Sequence, residues 1–147
     1  MGKRRIAREY TLQLLFQVEF NDSLPEQVLN RFWEGKRTQR GVMEYCTRLF
    51  RGIIENRHNL DDAIQSVSEH WRISRMAHVD RNILRLAAYE LLFEENLAPP
   101  IVINEAIEIA KKYSSEQAAT FINGILDAMK KDLTAIQQKI KEEENVS

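Results

Sequence analysis

Cysteine occurs once in this chain of 147 residues, at Cys46, so no internal disulfide can form, and a reducing compartment such as the cytoplasm is expected. Glycine is scarce: five in the whole chain leave no room for a glycine-rich phosphate loop or a Gly-x-Ser-x-Gly elbow. The three histidines, His58, His70 and His78, are scattered. None stands four residues from another histidine or from Cys46, so no zinc pattern arises, and neither a bound metal, a cofactor nor a catalytic site is expected. No apolar run approaches the ~20 residues that cross a bilayer, so no membrane contact is expected. The basic N-terminus lacks an apolar h-region, and no signal peptide is expected. Charge of one sign is lacking too: 21 basic and 22 acidic residues leave a net charge of -1, which excludes coating a nucleic acid by bulk electrostatics. Any such binding must come from a local patch.

Apolar spacing of three and four residues, not strand alternation, runs nearly throughout. With 44% hydrophobic and 29% charged residues, the chain reads as one all-α domain. Ala7, Tyr10, Leu14 and Val18 predict a first helix over about 6–20. Ser23-Leu24-Pro25-Glu26 resembles a capping box that starts a second, carrying Val28, Leu29, Phe32 and Trp33. Glu34 to Gly41 reads as a loop. Val42, Tyr45, Leu49 and Ile53 predict a third helix, and Leu60, Ile64, Val67 and Trp71 a fourth. The pattern blurs over 71–79, which predicts a boundary between sub-bundles of about 1–72 and 73–138. From Ile83 to Leu92 apolar residues cover most of a helix circumference, so a segment near 80–94 is expected to be the most buried helix, stopped by Pro99-Pro100. Ile103, Ile107 and Ala110 mark the next helix. Ser114-Ser115-Glu116-Gln117 caps another, bearing Phe121, Ile122, Ile125 and Met129. The charged segment 139–147 is expected to fray.

Several polar features could carry chemistry. Glu105 and Glu108 share a helical face, and a solvated face is the expected reading. In Phe121-Ile122-Asn123-Gly124-Ile125-Leu126-Asp127 the spacing is helical, and a helical glycine costs about 1 kcal/mol relative to alanine. Close approach of another helix at Gly124 is therefore expected, with Asn123 bonding to a neighbouring loop. The start Lys3-Arg4-Arg5-Ile6-Ala7-Arg8 places four cations before the first acid, Glu9. At a helix start they oppose the macrodipole, at about 0.3–1 kcal/mol each. Composition leaves two readings open, a solvated tail and a phosphate-binding patch. Arg5 and Arg8, three residues apart, would point to the same side.

Three segments resemble those of the NusB family of bacterial antitermination factors. Asp80 to Leu91 is similar to its D-R-x-I-L-R-L-A-x-Y-E-L stretch, Ile103 to Lys111 to I-N-E-A-[VI]-E-[LI]-A-K, and Phe121 to Asp127 to F-[VI]-N-G-[VI]-L-D. Arg5-Ile6-Ala7-Arg8 with Gln13 resembles the family's R-x-A-R…Q start. Tyr10 and Leu12 are bulkier than that start suggests, and nothing after Leu133 matches. The resemblance implies an all-helical domain over about 1–138 and no enzymatic activity. It also implies binding to the single-stranded boxA element of ribosomal RNA leader transcripts, together with NusE, in the antitermination complex on RNA polymerase. Carried over by position, Lys3, Arg4, Arg5, Arg8, Gln13, Lys111, Tyr113 and Gln117 are the expected RNA contacts. Asp80, Arg81 and Glu90 are the expected NusE contacts, acids meeting a basic partner. A homodimer of the free protein stays open. The rival expectations are a helical adaptor that binds only protein, and a NusB-like module of a ribosomal RNA methyltransferase system. The chain is too short for an added cofactor-binding βαβ sheet.

Overall fold

The computed structural model describes residues 2–146, and every regular element among them is helical. In chain order these are α1 (Lys3–Glu19), α2 (Pro25–Trp33), α3 (Arg40–Glu55), α4 (Arg57–Ser66), a single 3₁₀ turn (Ile73–Arg75), α5 (His78–Phe93), α6 (Pro99–Tyr113), α7 (Glu116–Lys131) and α8 (Leu133–Val146). The all-α expectation holds.

α5 is the axis of the molecule. Every residue from Asn82 to Leu92 is buried, including Ile83 at 0% and Leu91 at 5% exposure. It packs against α1, α3, α4, α6, α7 and α8, so one continuous core draws on both halves of the chain. Burying each of its Leu and Ile side chains contributes about 1.5–3 kcal/mol, enough that hydrophobic contact rather than helix propensity fixes the helix in place. A Cβ at Gly52 on α3 would lie 2.3 Å from the Tyr89 ring of α5. Glycine lets that ring, stacked on Phe93, sit directly against the α3 backbone.

Local chemistry sets the helix ends. Ser115 Oγ accepts from the Ala118 amide at 3.0 Å and caps α7 as expected. At α2 the cap position is Leu24 rather than Ser23, and its amide donates to Gln27 Oε1 at 3.3 Å. Pro99-Pro100 does not stop α5, which ends at Phe93. The prolines instead open α6, where a missing N–H is harmless. The fourth helix ends at Ser66, and Trp71 lies beyond it, 61% exposed. Of the tail expected to fray, residues 139–146 fall within α8, whose Ile140 is buried, and Ser147 lies outside the described residues. Gly124 is exposed, and a methyl group added there would meet nothing within 4 Å. Asn123 is exposed beside it, so the expected helix contact is corrected: this turn of α7 faces solvent.

Candidate nucleic-acid interface

α1 carries two faces of opposite character. Ala7, Arg8, Thr11, Leu12, Leu14 and Leu15 are buried, whereas Ile6, Gln13, Phe16, Gln17 and Phe20 are exposed or nearly so. Arg8 therefore belongs to the core stripe, in step with Leu12 and Leu15 four and seven residues on. Its Nε donates to both Glu90 carboxylate oxygens, at 2.8 and 3.0 Å, and the two side chains are only 3% and 2% exposed. The Tyr45 hydroxyl of α3 donates to the same carboxylate. Burial and the adjoining Glu90 charge push the Tyr45 phenol well above its ordinary range, so it stays a donor. This triad ties α1 to α5 and α3.

Two expectations are corrected by it. Arg8 cannot touch an RNA phosphate, because its guanidinium is buried against Glu90. Glu90 cannot meet a partner protein, because it lies in the interior at 1% exposure. Arg81 is also held inside: it is 12% exposed and donates to Glu19 Oε1 and to the Ile73 carbonyl. The physical reason is common to all three. An ionised group in a core stripe must find a partner of opposite charge, and each has found one within the chain.

The other cations of the start remain outside. Lys3 and Arg4 are exposed on the α3 side, with the Arg4 guanidinium 5.3 Å from the centre of the Tyr45 ring. Arg5 turns towards α6 and donates from Nε to Glu105 Oε2 at 2.7 Å. One turn further along, Glu9 accepts from Lys112 Nζ at 2.9 Å and from the Tyr113 hydroxyl at 2.6 Å. Burial pushes the Glu9 carboxyl up, but the Tyr113 and Lys112 hydrogen bonds outweigh it and hold the group below the ordinary carboxylate value. Gln13, Lys111 and Gln117 are exposed. Thus long side chains of α1 reach those of α6 at Glu105, Lys112 and Tyr113 and form a strip of cations, acids and a tyrosine.

A second surface lies around the start of α5. Asp80 is the third residue of α5, not its cap, which is Ala77. It lines a groove of about 380 Å³ with Trp71, Arg75, Met76, Gln117 and Phe121. The Trp71 and Phe121 rings meet edge to face at 5.7 Å. Asp80 Oδ1 is buried and, among the described residues, has no hydrogen-bond partner. The groove thus joins Asp80, expected to hold a protein, to Gln117, expected to meet RNA. Nearby, Phe16 and Phe20 at the end of α1 are 54% and 59% exposed, and Phe20 packs edge to face on His78.

Sequence reasoning missed Lys112, Glu9 and Glu105 as members of the strip, since no local pattern signals an ion pair a hundred residues apart. It missed Phe16 and Phe20 as well. These did carry a signal, two aromatics four apart on the polar face of an amphipathic helix. Among the described residues no cluster of three or more His, Cys, Asp or Glu side chains could hold a metal. No described helix is long and apolar enough to cross a membrane.

Comparison with known proteins gives the strip and the groove a context. The NusB family profile matches residues 5–131. The transcription antitermination protein NusB of Anaeromyxobacter dehalogenans is 45% identical over 127 residues, which cover 86% of this chain and 89% of that protein. The solved structure of T. maritima NusB superposes with a TM-score of 0.81 at 42% identity, covering 90% of this chain and 92% of the other. A crystal structure of the antitermination factors NusB and NusE in complex with dsRNA superposes with a TM-score of 0.79 at 29% identity, covering 89% and 98%.

Proposed function

The chain belongs to the NusB family, and we propose that it is a transcription antitermination factor that binds boxA RNA jointly with NusE and takes its place in the antitermination complex on RNA polymerase. The observation that carries this reading is the exposure of Lys3 and Arg4 at the start of a helix, where they oppose the dipole and no acid faces them among the described residues, Arg4 lying only over the Tyr45 ring. A phosphate backbone supplies the missing counter-charge. The Arg8–Glu90–Tyr45 triad supports the reading differently from expectation: it fixes α1 on the core, so that the cations ahead of it are presented from a rigid base.

Lys3, Arg4, Arg5 and Lys111 are the proposed phosphate contacts, the Tyr113 hydroxyl is available to donate to the RNA backbone, and Gln13 and Gln117 are available to bases and sugars. Four phosphate contacts on a single strand give a slope of about -3 for log affinity against log salt. That is modest, and a chain of net charge -1 gains little further attraction at long range. Joint binding with a basic partner answers this shortfall. Asp80 and the Trp71–Phe121 groove, with the exposed Phe16 and Phe20, form the proposed NusE face: an unpaired carboxylate oxygen in a groove that mixes aromatic surface with Arg72 and Arg75. Work on nascent transcripts would place the protein in the cytoplasm.

Titration of boxA RNA with and without NusE, at two salt concentrations, tests the reading. Weak, salt-sensitive binding by the chain alone and much tighter binding with NusE is the expected result. Absence of RNA binding under both conditions would leave a helical adaptor that binds only protein.

A further inference from the structure

The cations on the α6 side of α1 are not idle in the free protein. Arg5 is held by Glu105 at 2.7 Å, and Lys112 and Tyr113 by Glu9 at 2.9 and 2.6 Å. These are not loose surface pairs. In Arg5–Glu105 the partners are 23% and 20% exposed and in Lys112–Glu9 58% and 16%, whereas in Arg40–Glu44 they are 91% and 63% exposed, so the acids are the covered members. Glu105 also lies 4.0 Å from the buried Arg8 Nη1, which helps to hold it in place.

From this geometry we propose that Glu9 and Glu105 are internal competitors of RNA phosphate, which hold Arg5, Lys112 and Tyr113 in the free protein and lower the chain's affinity for any RNA. The inference rests on the RNA-binding reading of this strip. A phosphate that reaches Arg5 must share or displace the Glu105 carboxylate, and one that reaches Lys112 must do the same with Glu9. Two anions within a few ångströms repel, and the partly covered position weakens screening. The effect is on phosphate, not on bases, so it lowers binding to every sequence by the same factor. Such a device suits a chain that must ignore bulk RNA until a second set of contacts, from the boxA sequence or a partner protein, makes up the difference.

The test uses the isosteric variants Glu105→Gln and Glu9→Gln of the full chain in complex with NusE. Binding is followed by fluorescence anisotropy with labelled single-stranded boxA RNA and a scrambled sequence of equal length. Urea unfolding runs alongside, and Glu9→Gln carries the test alone if Glu105→Gln does not fold. Each variant is expected to bind both RNAs roughly threefold to thirtyfold more tightly at low salt. The salt slope should steepen by about 0.7 per released cation. Unchanged or weaker binding would overturn the inference, since the acids would then be bystanders or would position the cations for RNA. A gain confined to boxA would also overturn it. Lys3→Ala/Arg4→Ala, which touches neither acid, monitors the underlying reading. If that variant binds as the wild type does, or the wild type binds no RNA, the RNA face itself is wrong and the inference falls with it.

Discussion

Replacing Arg8 with methionine should unfold far more of the protein than removing any other cation of the first helix. The substitution keeps most of the side-chain volume but deletes the charge. It leaves the Glu90 carboxylate, 2% exposed, with the Tyr45 hydroxyl as its remaining hydrogen-bond donor. Breaking one side of a buried pair costs about 3–5 kcal/mol, because the surviving charge is stranded in the interior. Against a total stability of about 5–15 kcal/mol, that is roughly a fifth or more of what holds the domain together. For a chain of this size it lowers the melting temperature by roughly 6–20 °C, at about 2–4 °C per kcal/mol. Urea unfolding followed by circular dichroism measures it as a lower midpoint with an unchanged m-value. The double variant Arg8→Met/Glu90→Leu should recover much of the loss, since no stranded charge remains and the unpaired Tyr45 hydroxyl costs less. The folded fraction of Arg8→Met should keep the wild-type salt slope for RNA. A loss below about 1 kcal/mol, as expected of an exposed pair, would refute the burial of Arg8 and return it to the RNA face.

Other perturbations separate structural from functional groups. Gly124→Ala should stabilise the protein by about 0.5–1 kcal/mol, because the site is an exposed helix interior with open space around it, and thermal melts would register the gain. Gly52→Ala should instead cost about 1–3 kcal/mol, since the new methyl meets the Tyr89 ring; a neutral result would mean the ring moves freely. Burial pushes the Glu19 carboxyl up, yet Arg81, His78 and Arg85 outweigh it, and its pKa sits below the ordinary 4.5. A depressed carboxyl contributes stability that is complete above about pH 4.5 and lost as pH falls through its folded value. The stability gap between wild type and Glu19→Gln, about 1–3 kcal/mol at neutral pH, should therefore close in acid. A gap independent of pH would contradict the ion network. Asp80→Asn should weaken NusE binding severalfold in calorimetry without changing stability, and equal affinity would remove Asp80 from the partner face.

Much of this fold was legible because apolar spacing is a long, repeated signal. The sealed circumference of α5 from Ile83 to Leu92 identified the central helix without any knowledge of its neighbours. Boundaries were harder: the connection 67–77 keeps partly buried Val67 and Ile73 outside any α-helix, so hydrophobicity alone extended the fourth helix too far. Charged positions misled most. Arg8, Leu12, Leu15 and Glu19 share one stripe of α1, a stripe with opposite charges at its two ends. Arg85 and Glu90 sit on the buried surface of α5 and answer them, through Glu19–Arg85 at 3.1 Å and Arg8–Glu90 at 2.8 Å. Each stripe was visible in the sequence, but their pairing depends on how α1 lies along α5, and that register is a tertiary fact. The same holds for Arg5–Glu105 and Lys112–Glu9, which need α1 within side-chain reach of α6. Lys3 and Arg4, like Gln13, Lys111 and Gln117, are exposed and could be read directly as available.

The central claim, that the exposed start of α1 binds RNA through its phosphates, is tested most directly by the salt dependence of boxA binding in Lys3→Ala/Arg4→Ala beside the wild type. Two lost contacts on a single strand should flatten the slope of log affinity against log salt by about 1.4. The melting temperature should hold or rise slightly, since two cations that oppose the helix dipole are gone. An unchanged slope with unchanged affinity would contradict the account, and this helix start would then be a solvated end of a protein that meets RNA elsewhere.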